Sequence, residues 1–353
     1  MRHVRHLIAA LVLPLFAACA LPAATTPIRL SIMTFNVQNL FDTVDDPGTD
    51  DKAYLPIEQK QTPAHQAACR AIEVESWRAE CLELDWDDVL LEKKLRAIAG
   101  AIRQVEGGPD IIVFQEVEHA ALLDRLRTGY LAEQGYHPAI LIEGSDARGI
   151  DVGFLSKLLL AAEPVLHPPE FPDHPGREGD TRGVLEATFE LPDGSLLTGF
   201  AVHFPAPFHP RIMREQAYAQ LNALRDRLPA GRPAFAAGDF NTPSGEVRAS
   251  GIFERLVRPH WTVAHEMACI GDCRGTYYYA RDDDWSFLDM ILFAPARSEN
   301  ATGGLRAKSA RVANRVPAQR TAADTPAAFE PGGSGGVSDH WPLVIELDLK
   351  QKQ

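Results

Sequence analysis

Pro233-Ala234-Phe235-Ala236-Ala237-Gly238-Asp239-Phe240-Asn241-Thr242-Pro243 is an apolar run that stops on a polar Asp-x-Asn pair. The run predicts a buried strand, and Pro243 prevents that strand from simply continuing. Alternation along an extended chain places Asp239 and Asn241 on one side and turns Phe240 into the core. A carboxylate and a carboxamide side by side at a strand end can orient a water and brace a charged transition state. The same residues beside a glycine also make ordinary turns. Other stretches of the chain decide between the two.

Four more apolar runs stop on an acid, an amide or an imidazole: Asn36 in "IMTFNVQNLFD", Glu116 in "IIVFQEVE", His203 in "GFAVHFPAP", and Asp339-His340 in "GVSDHWPLVIE". Asp289 in "WSFLDMILF" lies inside an apolar strand, where a buried carboxylate requires a partner. Each has a plain structural use when taken alone. Their shared context at strand ends argues for one site.

Around these stretches the pattern is mixed. Helical spacing covers Trp86 to Val105, His119 to Thr128 and Arg211 to Leu228, with Gly107-Gly108-Pro109 stopping the first. Strands are expected at Ile28–Asn36, Asp110–Gln115, Ala139–Ile142, Ile150–Leu155, Val184–Phe189, Leu196–His203, Pro233–Ala237, Thr276–Ala280, Phe287–Phe293 and Leu343–Leu347. Helices falling between groups of strands point to two packed sheets with helices outside, an α/β layered sandwich. Asp42 to Gln66 and Pro295 to Gly336, rich in Asp, Pro, Gly and Ala, read as surface excursions. The acids Asp42, Asp45, Asp46, Asp50 and Asp51 lack EF-hand spacing and read as a solvated loop.

Together "TFN", "QEVE", "GDFN" and "SDH", in this order, resemble the exonuclease-endonuclease-phosphatase superfamily of metal-dependent phosphoesterases. "ARGIDVGFLSK", residues 147–157, is similar to that family's central strand, and "NLFDT" with its acidic loop to exported bacterial members. The likeness runs from about Ile28 to Leu347. It implies a four-layer α/β/β/α sandwich of two mixed sheets flanked by helices, with the site in a cleft at one sheet edge. It implies Glu116, Asn36 and Asp339 as ligands of Mg2+, with Mn2+ as a substitute. It directs Asp239 at the attacking water and Asn241 at that water or the phosphate. His340 would contact the phosphate with Asp289 fixing its tautomer, and His203 would face the phosphate or the leaving group. Arg148, Asp151 and the segment Phe208 to Arg211 of "PFHPR" are expected on the substrate side, Arg148 and Arg211 as arginines suited to bidentate phosphate contact. The expected substrate is a phosphodiester, with nucleic acid first; a phosphomonoester, a lipid headgroup or a non-catalytic binding role are the alternatives.

The N-terminus reads as a targeting segment, with Arg2 and Arg5 ahead of the apolar Leu7 to Ala18. Residues 1–24 are expected to be a signal peptide and 25–353 a single domain. Cleavage after Ala20, cleavage near Ala24, and lipidation of Cys19 are the forms this segment allows. The remaining Cys69, Cys81, Cys269 and Cys273 permit three pairings. In an oxidising compartment the local pairs Cys69–Cys81 and Cys269–Cys273 are expected. A net charge of −13 gives no general attraction for polyanions, and no Arg/Lys stripe follows a duplex. A monomer, exported and without a membrane span, is the expected form.

Overall fold

The computed structural model describes residues 27–294, 305–333 and 335–349. The expected signal segment and Cys19 lie outside them. In chain order the strands begin with β1 (Ile28–Leu40), β2 (Ile111–Val117), β3 (Ile140–Leu141), β4 (Asp151–Ser156), β5 (Val165–His167), β6 (Val184–Glu190) and β7 (Leu196–His203). They continue with β8 (Ala234–Asp239), β9 (Thr262–Val263), β10 (Tyr277–Tyr279), β11 (Asp284–Ser286), β12 (Asp289–Phe293), β13 (Leu305–Val312) and β14 (Leu343–Leu349). The helices are α1 (Pro63–Arg70), α2 (Glu75–Glu83), α3 (Asp88–Arg103), α4 (Ala120–Tyr130), α5 (Arg211–Asp226), α6 (Ser244–Ser250) and α7 (Ala264–Ala268).

Two six-stranded sheets carry the fold, one ordered β13-β14-β1-β2-β4-β3 and the other β5-β6-β7-β8-β12-β9. Each has one parallel pair, β1–β2 and β7–β8, among antiparallel neighbours. Strand alternation builds three apolar layers from single strands. On β1, Leu30 and Ile32 enter the core between the sheets, while Met33 and Phe35 meet Leu91, Leu95 and Ile98 of α3. On β8, Phe235 and Ala237 face the other sheet, while Ala234 and Ala236 meet Tyr218 and Leu221 of α5. The result is helix, sheet, sheet, helix.

Two expectations need correction. Pro295–Gly336 is not wholly irregular, because β13 pairs along β14 as an edge strand. Its exposed Arg306 and Lys308 broke the apolar pattern that would have marked it, as charged side chains on an edge strand do. The other excursion, Asp42–Gln66, stays largely irregular but ends in α1, which Thr62 starts by accepting the His65 N–H at 3.2 Å. Helix α1 and the following α2 are brought together by Cys69 and Cys81, whose Cα atoms are 5.6 Å apart. Cys269 and Cys273 form the other local pair, at 6.3 Å.

Candidate active site

Periodicity delivers three polar side chains to one place. Asp239 shares the face of Phe235 and Ala237, His203 that of Leu197 and Ala201, and Asp289 that of Ile291 and Phe293. Register then aligns them, since Asp239 pairs with His203 on one side and with Asp289 on the other. The approach of β7 to β8 is close here. A Cβ on Gly238, at φ +152°, would sit 1.9 Å from the Val202 carbonyl oxygen, so this position requires glycine. From the opposite sheet Asn36 follows Leu30 and Ile32 into the same gap. The site therefore spans the ends of the middle strands of both sheets, rather than one sheet edge.

Glu116 arrives by another route. Ile112 and Phe114 face the helices, and plain alternation would send Glu116 after them. Instead the register against β4 shifts between Gln115 and Val117, and Glu116 takes φ +65°. A bulge of this kind re-aims a side chain. Strand β1 shifts likewise between Asn36 and Leu40, with Gln38 at +56° and Asn39 at +57°. Asn241, at +48°, turns the chain away after β8. Such backbone costs about 1–3 kcal/mol per residue, and its concentration here marks a site held for function.

Hydrogen bonds fix the groups. Asn39 N–H donates to Glu116 Oε2 at 2.9 Å. Asn36 Nδ2 donates to Glu116 Oε1 at 3.3 Å and to Asp239 Oδ2 at 3.2 Å, while its Oδ1 accepts from the Gln38 N–H. Asn36, expected as a metal ligand, thus bridges the two carboxylates. Gln38 Oε1 accepts the Asp339 N–H at 3.1 Å, and Ser338 Oγ bridges the Asn36 carbonyl and the His340 N–H. Asn241 donates its backbone N–H to Asp239 Oδ1 at 2.8 Å and its amide to the Phe204 carbonyl. It orients Asp239 directly, and β8 has ended before it, so its place in the cleft comes from the turn and not from alternation.

His340 Nδ1 lies 2.7 Å from Asp289 Oδ2, and Nε2 lies 3.9 Å from Asp239 Oδ2. Burial works against a charge on His340, but Asp289 and Asp339 overcome it and hold the imidazole well above its ordinary value. His203 is the opposite case. Burial, then Arg182, Arg148 and His340, hold it well below, so the pair consists of a cationic His340 and a neutral His203. His203 Nε2 is 3.5 Å from Asp239 Oδ2 and 4.0 Å from Glu116 Oε1. Burial pushes Asp239 up to about 7, with His340 opposing and Asp289 adding. Burial also raises Asp339. Burial raises Glu116 too, but Arg148, Arg182 and His340 outweigh it and leave this carboxyl below its usual range.

These residues fit a hard divalent cation. Glu116 and Asp239 oxygens crowd around one amide nitrogen, and the Glu116 charge helps to raise Asp339. Mutually repelling, buried carboxylate oxygens are what Mg2+ and Mn2+ relieve.

The cleft over this site has a volume of about 790 Å³. Arg148 lines it, as expected. Asp151 does not: it is buried, accepts the Gly144 N–H with both oxygens at 3.1 Å, and is pushed by burial up to about 7. Arg211 also lies outside the lining, exposed at the start of α5 and paired with Glu215 at 3.0 Å. Of the same expected segment, Phe208 and His209 do line the cleft. Sequence reasoning missed Arg182, a buried residue of the cleft wall whose Nη2 has no protein partner. Its Nε lies 3.4 Å from Asp146 Oδ2, the carboxylate that Arg148 also approaches. Arg182 lies two residues before the strand Val184–Glu190, whereas His203 and Asp239 close theirs, so the strand-end pattern did not mark it.

Among the described residues no helix is long and apolar enough to cross a membrane. No curated protein matches the chain by sequence. Among solved structures it resembles an endonuclease/exonuclease/phosphatase family protein from Bacteroides thetaiotaomicron at 15% identity and TM-score 0.57, covering 93% of this chain and 100% of that one. A mannosyl-6-phosphatase from Bacteroides thetaiotaomicron VPI-5482 is similar at 16% identity and TM-score 0.55, covering 90% and 99%. D. rerio TDP2 complexed with single-strand DNA product is similar at 14% identity and TM-score 0.53, covering 90% and 98%. At these identities the likeness concerns the fold. The sequence itself matches the family model over residues 33–340, the span that holds every strand-end residue described above. The chain belongs to the Endonuclease/Exonuclease/phosphatase family and is a phosphoester hydrolase.

Proposed function

We propose that this protein is an exported, Mg2+-dependent phosphodiesterase of the nuclease type, which cuts by in-line attack of water. The observation that carries this reading is His340, held by Asp289 at 2.7 Å, facing Asp239 across one cleft. Glu116 and Asp339 would hold the cation, which would supply charge neutralisation to the phosphate group. Asp239, oriented by Asn241, takes the proton of the attacking water. His340 donates its Nε2–H toward the scissile phosphate. A neutral His203 contributes a hydrogen bond rather than a proton, and so positions the reacting groups beside Asp239. Arg148 and Arg182 contact the phosphate oxygens. The basic and apolar N-terminal residues, together with two local disulfides, support export.

A second reading is favoured by one observation. Arg148 and Arg182 share the single carboxylate of Asp146, which leaves positive charge for a dianionic terminal phosphate. That suits a phosphomonoester, as in the mannosyl-6-phosphatase of the same fold. Hydrolysis assays with Mg2+ on DNA, RNA, nucleotides, phosphoinositides and sphingomyelin, with His340→Ala as the blank, separate the two. Diesters are expected to turn over at least 10-fold faster per bond than monoesters; the reverse order would replace the first reading with the second.

A further inference from the structure

Two large aromatic side chains stand exposed at a cleft whose floor is catalytic. Trp77 is 60% exposed and Phe208 is 79% exposed, and both line it. A single exposed ring is ordinary, but here two large rings line the same cleft. Neither residue sits on loose backbone. Trp77 belongs to α2, tied to α1 through Cys69–Cys81, with His65 Nε2 at 3.1 Å from the Cys81 carbonyl. Lys60, fully buried, donates Nζ to the Ala53 carbonyl at 2.6 Å and to the Glu80 carbonyl at 3.4 Å, stitching the acidic loop to the same helix pair. On the other wall, buried Arg214 donates Nη1 to the carbonyls of Pro205, Ala206 and His209, and so fixes the turn that carries Phe208. The two rings are presented in advance, which lowers the entropy lost when something stacks on them.

The mouth says what size of substrate this is. Lys52 is paired with Asp50, Glu80 adds an acid, and Asp180 pairs with Arg177, which lies outside the lining. The Lys and Arg side chains of the lining beyond Lys52 are Arg148 and Arg182, which share Asp146, and the whole chain carries −13. A long phosphate backbone leaving the cleft would meet Asp50, Glu80 and Asp180 among the described lining residues. The volume of about 790 Å³ suits a ligand of nucleotide to dinucleotide size.

Resting on the phosphodiesterase reading above, we propose that the substrate is a short nucleotide phosphodiester, with a base beside the scissile bond stacked on Trp77 and Phe208. The aromatic faces supply affinity that the acidic mouth denies to a polymer. Base stacking on an aromatic side chain changes binding by about 10- to 100-fold per base.

The test compares three substrates under Mg2+: a dinucleotide, the same diester with abasic sugars at both positions, and a DNA duplex of about 20 base pairs. Wild type is expected to favour the dinucleotide over the other two in kcat/KM per bond. Trp77→Ala is expected to lower kcat/KM on the dinucleotide about 10- to 100-fold, mainly through KM, and to leave the abasic diester within about 2-fold. Trp77→Phe should recover most of the loss. Equal losses on dinucleotide and abasic diester would show that the sugar is what stacks, and would overturn the proposal. So would an undiminished Trp77→Ala, or a duplex cut faster than the dinucleotide. If wild type cleaves none of the three, the phosphodiesterase reading fails first and takes this proposal with it.

Discussion

His340→Ala will lower kcat about 10³- to 10⁴-fold, the range expected when a positioned proton donor is removed. The buried imidazolium stands between Asp289 at 2.7 Å and Asp239 at 3.9 Å, so the substitution also leaves two carboxylates facing each other. Because alanine opens a cavity, His340→Gln is the companion variant; it fills the space without carrying the charge. Asp289→Asn tests the positioning role. Asp289 is fully buried and spends one oxygen on Nδ1, so the amide keeps the shape but loses the charge that raises His340. A drop of about 10²-fold or more is expected, with circular dichroism and melting close to wild type. Near wild-type turnover in His340→Gln would remove this histidine from the reaction.

Asp239→Asn should lose about 10³-fold in kcat yet gain stability. The carboxyl is almost wholly buried, and burial, opposed by His340 and reinforced by Asp289, carries it up to about 7. The sign follows from proton binding. Between about pH 4 and pH 7 the unfolded chain has released this proton while the folded chain retains it, so stability falls as pH rises through that window. Above about pH 7 the folded state holds a costly charge, which asparagine removes. Without divalent cation at pH 8 a gain of about 1–2 kcal/mol is expected in denaturant unfolding, shrinking toward pH 4. Loss of stability at pH 8 would show that the Asp239 charge is compensated, and would weaken its assignment as the base.

Much of this site was legible because it obeys period two. Asp239, His203 and Asp289 continue apolar faces whose phase can be counted in the sequence, and their cross-strand register follows once the strands pair. Glu116 was legible as a residue and not as a direction. Its face is set by a bulge and a positive φ, which depend on how β1, β2 and β4 are pulled together. Asn36 was legible as a site residue, and its contacts to Glu116 and Asp239 come from remote parts of the chain. Arg182 and the edge strand β13 escaped notice because isolated basic residues carry no period of their own. Arg211 and Asp151 were misplaced for a related reason: proximity in sequence to a cleft residue does not settle which side of a turn faces it.

The central claim is that a divalent cation on Glu116 and Asp339 works with the Asp239–His340 pair on a phosphodiester bond. The most direct measurement is turnover of a dinucleotide by protein stripped with chelator and then titrated with Mg2+. Activity should vanish on stripping, return with Mg2+ or Mn2+, require markedly more metal in Glu116→Gln, and fail to return in His340→Gln. Full turnover in chelator, or the same metal titration in Glu116→Gln as in wild type, would contradict it.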